Sequence, residues 1–85
     1  GIENYQVSES IHVYPNPLTG NEMFFESELP VSSVMIYDLT GKYVTETNVS
    51  GKSGKIDLES IDKGMYFIRF DTHNGIGIRK FVVTR

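Results

Sequence analysis

The sequence contains no cysteine among its 85 residues. Disulfide bridges, thiolate metal sites and cysteine nucleophiles are therefore excluded. No segment approaches the roughly 18 consecutive apolar residues of a membrane-spanning helix. We expect no signal peptide in Gly1–Ser10, because this polar segment lacks an apolar region. Eight basic and eleven acidic residues give a net charge of −3, which argues against binding to a nucleic-acid backbone.

Residues that can carry catalysis or bind a metal are few and scattered. His12 and His73 lie far apart in the chain, and neither has a second histidine at the spacing of a zinc site. Gly51–Lys55 is rich in glycine and lysine but lacks the spacing of a phosphate-binding loop. An acid pair such as Asp38 with Asp62 would need a cleft that this small chain does not indicate. We therefore expect no enzyme activity, no metal site and no cofactor.

The rest of the composition indicates one folded domain. Hydrophobic residues make up 39% of the chain, with five tyrosines and five phenylalanines, which excludes a disordered tail. Polar Gly1–Ser10 predicts a linker or tether, so the domain is expected over residues 11–85. Beyond it, alternating apolar and polar segments recur between turn residues, a pattern typical of an antiparallel β-sandwich. The seven predicted strands are Ile11–Tyr14, Met23–Glu26, Ser33–Asp38, Tyr43–Val49, Lys55–Leu58, Met65–Asp71 and Gly77–Thr84.

Turn residues between these strands predict specific local conformations. Asp38 is expected to cap the amides of the turn that follows it, and Gly41 to adopt a positive φ there. Asn74 and Gly75 together predict a type I′ hairpin turn. Ser50–Gly54 predicts a flexible surface loop.

Three further segments carry local signals. Pro15–Pro17 contains two prolines, which remove two backbone donors, so it must lie at a sheet edge or leave the sheet. Glu59–Lys63 predicts a single helical turn, which Gly64 can end. Tyr66 follows that glycine closely, and its hydroxyl is expected to bind a nearby backbone group, as in a tyrosine corner.

Tyr37, Tyr43 and Phe67 fall on strand faces that the alternation predicts to point outward. Aromatic rings stack on sugars and on nucleic-acid bases, so one interpretation is a binding platform. The other interpretation is that these side chains pack at sheet edges, and we favour this structural role for most of them.

Several short motifs follow one another in a fixed order. In chain order they are Val13-Tyr14-Pro15-Asn16-Pro17, Gly20, Ile36-Tyr37-Asp38 with Gly41-Lys42, Gly64-Met65-Tyr66, and Lys80-Phe81-Val82-Val83-Thr84-Arg85. With these motifs the chain resembles the type A C-terminal sorting domain of the type IX secretion system, the Por secretion pathway of Bacteroidota. The resemblance covers residues 11–85.

The resemblance implies a non-catalytic, Ig-like antiparallel β-sandwich of about seven strands, fused to the C-terminus of a larger cargo protein. The expected partners are the type IX translocon, an outer-membrane shuttle protein and a sortase-like peptidase. The cargo is expected to pass through the periplasm and to reach the cell surface or the medium. Cleavage is expected within or just upstream of Gly1–Ser10. No nucleic acid and no membrane span are expected.

The terminal strand is our candidate for recognition, because a displayed strand edge and a basic end can bind a partner. Residues assigned to recognition are Lys80, Phe81, Val82, Val83, Thr84 and Arg85. Residues assigned to the fold are Pro15, Asn16, Pro17, Gly20, Tyr37, Asp38, Gly41, Lys42, Gly64 and Tyr66. Pro15–Pro17 is expected to protect the opposite sheet edge, while the terminal edge can support a dimer. The alternative function is a carbohydrate-binding or spacer module of a secreted hydrolase.

Overall fold

The computed structural model describes residues 2–85. Within them the chain forms one short helix and five strands. These are α1 (Tyr5–Glu9), β1 (Ile11–Tyr14), β2 (Glu22–Asp38), β3 (Tyr43–Asp57), β4 (Gly64–Thr72) and β5 (Gly75–Val83). The strands pair antiparallel in the order β1-β2-β4-β5, and β3 pairs with β2. The predicted all-β class is therefore confirmed.

The structure has five strands where the sequence predicted seven. Met23–Glu26 and Ser33–Asp38 both lie in β2, and the next two predicted strands fall along β3, which ends at Asp57. The pairing of β2 with β3 continues through Val31 and Gly51, with register shifts on either side of Val31. Such bulges bend a strand without ending it. Residues 2–85 thus form one curled sheet of five strands, and the Ig-like sandwich is not confirmed.

The predicted flexible loop at Ser50–Gly54 is wrong for the same reason. These residues lie within β3, where Gly51 adopts φ +124° and Ser53 pairs with Glu26. Gly54 is also required for packing, because a Cβ there would lie only 2.7 Å from Cε1 of the buried Phe25. The glycines that suggested flexibility instead let two long strands bend and approach the core closely.

The curl arises because the two halves of β2 have different neighbours. Glu22–Glu26 lies between β1 and the end of β3, whereas Ser33–Asp38 lies between the start of β3 and β4. The buried faces of the two halves enclose one core, in which the Phe25 and Phe70 rings are 5.3 Å apart. The buried apolar residues are Val7, Ile11, Leu18, Met23, Phe25, Val31, Val34, Ile36, Ile56, Leu58, Ile61, Tyr66, Ile68, Phe70, Phe81 and Val83.

The segment predicted as a linker is folded onto β5. Asn4 caps α1, its Oδ1 accepting from the amides of Gln6 at 2.9 Å and Val7 at 3.2 Å. Ser8 Oγ accepts from the Ile78 amide of β5 at 2.8 Å, and Val7 is buried. Gly1 lies outside the described residues. The position of a processing site in or before this segment stays a prediction.

Two predicted turns differ in the structure. Thr72 pairs with Gly75, so His73 and Asn74 occupy the hairpin turn, and no described non-glycine residue has a positive φ. A type I′ turn needs positive φ at both central positions, so that prediction is wrong. Gly75, at φ +123°, takes the positive φ one residue later.

The predicted helical turn before β4 is also wrong. The segment is an irregular turn with a backbone hydrogen bond from the Ile61 amide to the Leu58 carbonyl at 3.1 Å, and Gly64 starts β4 at φ +149°. Among residues 2–85, no helix has the length and hydrophobicity to cross a membrane.

Candidate functional site

The candidate recognition segment, Lys80–Arg85, divides into residues of different exposure. Phe81 and Val83 are 1% and 2% exposed, and the Phe81 ring stacks on Tyr66 with centroids 5.6 Å apart. Lys80 is exposed and Val82 is half-buried, because alternate residues of a strand point to opposite faces. Two of the six predicted recognition residues are therefore core residues.

The outer edge of β5 is covered over its C-terminal half. Asn16 acts in place of a neighbouring strand: its Nδ2 donates to the Lys80 carbonyl at 3.2 Å, and its Oδ1 accepts from the Val82 amide at 3.1 Å. The Leu18 amide donates to the Val82 carbonyl at 2.7 Å, and the Thr84 amide donates to the Leu18 carbonyl at 2.9 Å. Pro15–Pro17 therefore protects the terminal strand itself, and the expectation that it protects the opposite edge is wrong.

The N-terminal half of the same edge is covered by the segment around α1. The Asn4 amide donates to the Ile76 carbonyl at 2.8 Å, and Ser8 Oγ accepts from the Ile78 amide. Backbone groups at both ends of β5 are thus already paired within the domain. The predicted display of this edge to a partner strand or to a second copy would require these contacts to open first.

Arg85 is a structural clamp in the described chain. Its guanidinium donates to the carbonyls of Gly20 at 3.0 Å, Leu58 at 2.6 Å, Glu59 at 3.3 Å and Ile61. These carbonyls belong to two irregular connections, one before β2 and one before β4. The basic end thus holds two loops of its own domain together, and its role in binding a partner stays a prediction.

The turn after β2 has the predicted capping geometry. Asp38 Oδ1 accepts from the amides of Thr40 at 2.9 Å and Lys42 at 3.0 Å and from the Thr40 hydroxyl at 2.6 Å. Gly41 adopts φ +86°. The bond from the Thr40 hydroxyl, followed by that from the Lys42 amide, holds the pKa of Asp38 below its ordinary value. The charged carboxylate therefore stabilises this turn.

Replacement of this carboxylate is expected to change how stability depends on pH. Because its folded pKa is lowered, its contribution is present above the unfolded pKa of about 3.9 and is lost as pH falls through the folded pKa. Asp38→Asn should therefore melt below the wild-type domain at neutral pH, and the gap in Tm should close as the solution is acidified below about pH 4. Thermal unfolding followed by circular dichroism measures this. A difference in Tm that is independent of pH would show that the effect comes from the hydrogen-bonding geometry of the side chain and not from its charge.

Tyr66 and Gly20, two further residues assigned to the fold, differ in whether the structure requires that residue type. Tyr66 has the predicted backbone contact, its hydroxyl donating to the Asp62 carbonyl at 2.7 Å, and burial raises the pKa of that hydroxyl. Gly20, in contrast, has an ordinary φ, and a Cβ added to it would meet no heavy atom within 4 Å, so this position does not require glycine. Its carbonyl, which any residue would supply, accepts from Arg85.

Three outward-pointing aromatic residues lie next to one another on the sheet formed by β3, β2, β4 and β5. The register places Tyr43 beside Tyr37, Tyr37 beside Phe67, and Phe67 beside Lys80. The Tyr37 and Tyr43 rings are 6.2 Å apart with their planes at 74°, so they form no flat platform for a sugar ring. The sequence predicted the outward faces but not this row, because the row depends on register between distant strands.

These features define a small all-β module. A family model described as "Secretion system C-terminal sorting domain" matches residues 12–84. The chain belongs to this family of type IX secretion sorting signals, which are not enzymes. It is also similar to beta-agarase A of Zobellia galactanivorans, at 35% identity over 60 residues. That match covers 69% of this chain but only 11% of the agarase. Membership of the family implies export of the protein that carries the domain.

Proposed function

We propose that this domain directs an N-terminally fused cargo protein across the outer membrane through the type IX secretion system. The translocon and an outer-membrane shuttle protein recognise the domain, and a sortase-like peptidase removes it as the cargo is anchored at the cell surface. The observation that carries the proposal is the family match over residues 12–84, which includes β5 and Asn16, the residue that covers the C-terminal half of its outer edge. The match to a small part of the agarase supports the proposal that this domain is joined to a much larger protein.

The signal acts as a folded unit in this proposal. Phe81 and Val83 contribute to the core, and Arg85 binds two loops, so the terminal strand is available to a partner only as part of the folded domain. Recognition therefore involves side chains on the surface of the domain and not an extended terminal peptide.

Cleavage by the peptidase falls upstream of α1 in this proposal. A protease needs an extended, accessible stretch of chain, whereas Asn4 and Ser8 are hydrogen-bonded to β5 and Val7 is buried. Ile2 is 91% exposed, which supports an accessible chain just before the helix. The predicted interval of Gly1–Ser10 is thereby narrowed to its first residues or to the chain before them.

A secretion assay tests the proposed function. These 85 residues are fused to the C-terminus of a periplasm-directed fluorescent protein in a bacterium with a type IX system and in a translocon-deleted strain. We expect the reporter to reach the surface or medium only in the competent strain and to lose about the 9.6 kDa of the domain. A full-length reporter retained in the periplasm of both strains would contradict the proposal and would favour an accessory module.

A further inference from the structure

The outer face of the sheet formed by β3, β2, β4 and β5 carries a row of four neighbouring side chains, Tyr43, Tyr37, Phe67 and Lys80, here called the aromatic row. Cross-strand neighbours share one face of a sheet, so these side chains form a continuous strip across four strands. Tyr43 is 48% exposed at one end, and Lys80 is exposed at the other.

A shallow cavity of about 360 Å³ adjoins the aromatic row. Its lining residues are Glu3, Tyr37, Gly41, Phe67, Arg69, Ile76 and Ile78. The two charged groups in this lining already have partners: Arg69 binds Asp71 Oδ1 at 3.0 Å, and Glu3 accepts from the Ser8 hydroxyl at 2.5 Å. The cavity therefore offers apolar and aromatic surface to a ligand, which suits apolar protein side chains better than the many hydroxyls of a glycan.

A comparable row on the opposite side of the molecule differs in charge. Tyr14, Phe24 and Lys55 are cross-strand neighbours there, and the two rings stack at 5.8 Å. Lys55 is paired with Glu22 there, with Nζ and Oε2 3.1 Å apart. Among residues 2–85 the two salt bridges join Lys55 to Glu22 and Arg69 to Asp71, so Lys80 keeps an uncompensated positive charge beside aromatic surface. This combination is complementary to an apolar segment with a carboxylate at one end.

We propose that the aromatic row docks an apolar segment of a partner protein, with a carboxylate of that segment on Lys80 and its apolar side chains over Tyr37 and Phe67. The partner is the envelope protein that recognises the folded domain, so the inference rests on the proposed function. The covered edge of β5 supports this arrangement, because strand addition there would first have to displace Asn16 and Ser8. Lys80 recognises its partner through its side chain, while its carbonyl is bound within the domain.

The test compares matched double variants of the reporter fusion. Tyr43→Ser with Lys80→Glu alters the aromatic row, and Tyr14→Ser with Lys55→Glu alters the comparable row. Tyr14 is 44% exposed, close to the 48% of Tyr43. We expect the first variant to lower export at least about ten-fold, because aromatic and charged anchors dominate most interfaces. The control variant should be exported normally, and Lys80→Arg should also keep export. Both double variants should show unfolding midpoints near that of the wild-type domain.

The possible outcomes separate the two hypotheses. If the wild-type reporter stays in the periplasm of the competent strain, the proposed function is overturned, and this inference with it. Normal export of the Tyr43→Ser, Lys80→Glu variant, or equal loss in the control, would overturn the inference alone. If the wild-type domain binds agarose or alginate and the Tyr43→Ser change abolishes that binding, the aromatic row is a glycan-binding site. A dimer in sedimentation that the same variant dissociates would reassign it to a second copy.

Discussion

A domain that lacks Lys80–Arg85 is expected to be unfolded. The deletion removes Phe81 and Val83, which are 1% and 2% exposed, and the Arg85 guanidinium that binds four backbone carbonyls. Loss of one buried phenylalanine side chain alone costs about 3–5 kcal/mol, and a natural domain has only about 5–15 kcal/mol of stability in total. The deletion also removes the ring that stacks on Tyr66 and the backbone groups that pair with Leu18. The remaining core is therefore too small to fold.

Near-ultraviolet circular dichroism and urea unfolding of the isolated domain measure this outcome. The truncated chain should show neither a tyrosine signal nor a cooperative transition. Lys80→Ala serves as the control. Because the Lys80 side chain is exposed, this variant should retain both the tyrosine signal and the cooperative transition. A cooperative transition in the truncated chain would contradict the structural role assigned to this segment.

The expected unfolding of the truncated domain changes how export experiments on Lys80–Arg85 are interpreted. The assignment of Lys80–Arg85 to recognition predicts that their deletion abolishes export through loss of partner binding. The structure provides a second cause, because the same deletion removes part of the core. Only substitutions of outward-pointing side chains such as Lys80 separate recognition from folding.

Features that depend on neighbouring residues were predictable from the sequence. The Asp38 cap reaches only to Lys42, four residues later, and its chemistry follows from an aspartate and a glycine at set positions. The alternation that places Phe67 on the outward face of β4 also places Tyr66, Ile68 and Phe70 on the opposite face, which is buried. The hydroxyl contact of Tyr66, with a carbonyl four residues away, belongs to the same group.

Features that join distant residues were not predictable in this way. Asn16 completes the edge of a strand that lies 66 residues later in the chain, and Arg85 binds a carbonyl 65 residues earlier. An asparagine between prolines carries a strong turn signal, and nothing local indicates which backbone it will bind. The long bent strands were missed because a bulge keeps a strand continuous only when its partner strand follows the same bend. For β2 and β3 that information lies in their register.

Substitution of Gly77 by valine is expected to separate α1 from β5. A Cβ at this position would lie 2.9 Å from Ile11 Cδ1, 3.1 Å from Val7 Cγ1 and 3.2 Å from the Ser8 amide nitrogen. The backbone φ of Gly77 is not positive, so the effect comes from crowding and not from backbone strain. Overpacking of this kind costs about 1–3 kcal/mol. Displacement of Ser8 also breaks its hydrogen bond with the Ile78 amide, which should then exchange with solvent more quickly.

Gly20→Val is the matched control, since a Cβ at Gly20 meets no atom within 4 Å and its φ is ordinary. Urea unfolding should place this control within about 0.5 kcal/mol of the wild-type domain. Limited proteolysis should cut the Gly77→Val domain within Tyr5–Glu9, because its loosened helix becomes accessible to the protease. The wild-type and Gly20→Val domains should resist cleavage in this segment. Equal resistance in all three would show that α1 adapts without leaving β5. A new cut within α1 would show that packing on Gly77 is what restricts cleavage to the chain before the helix.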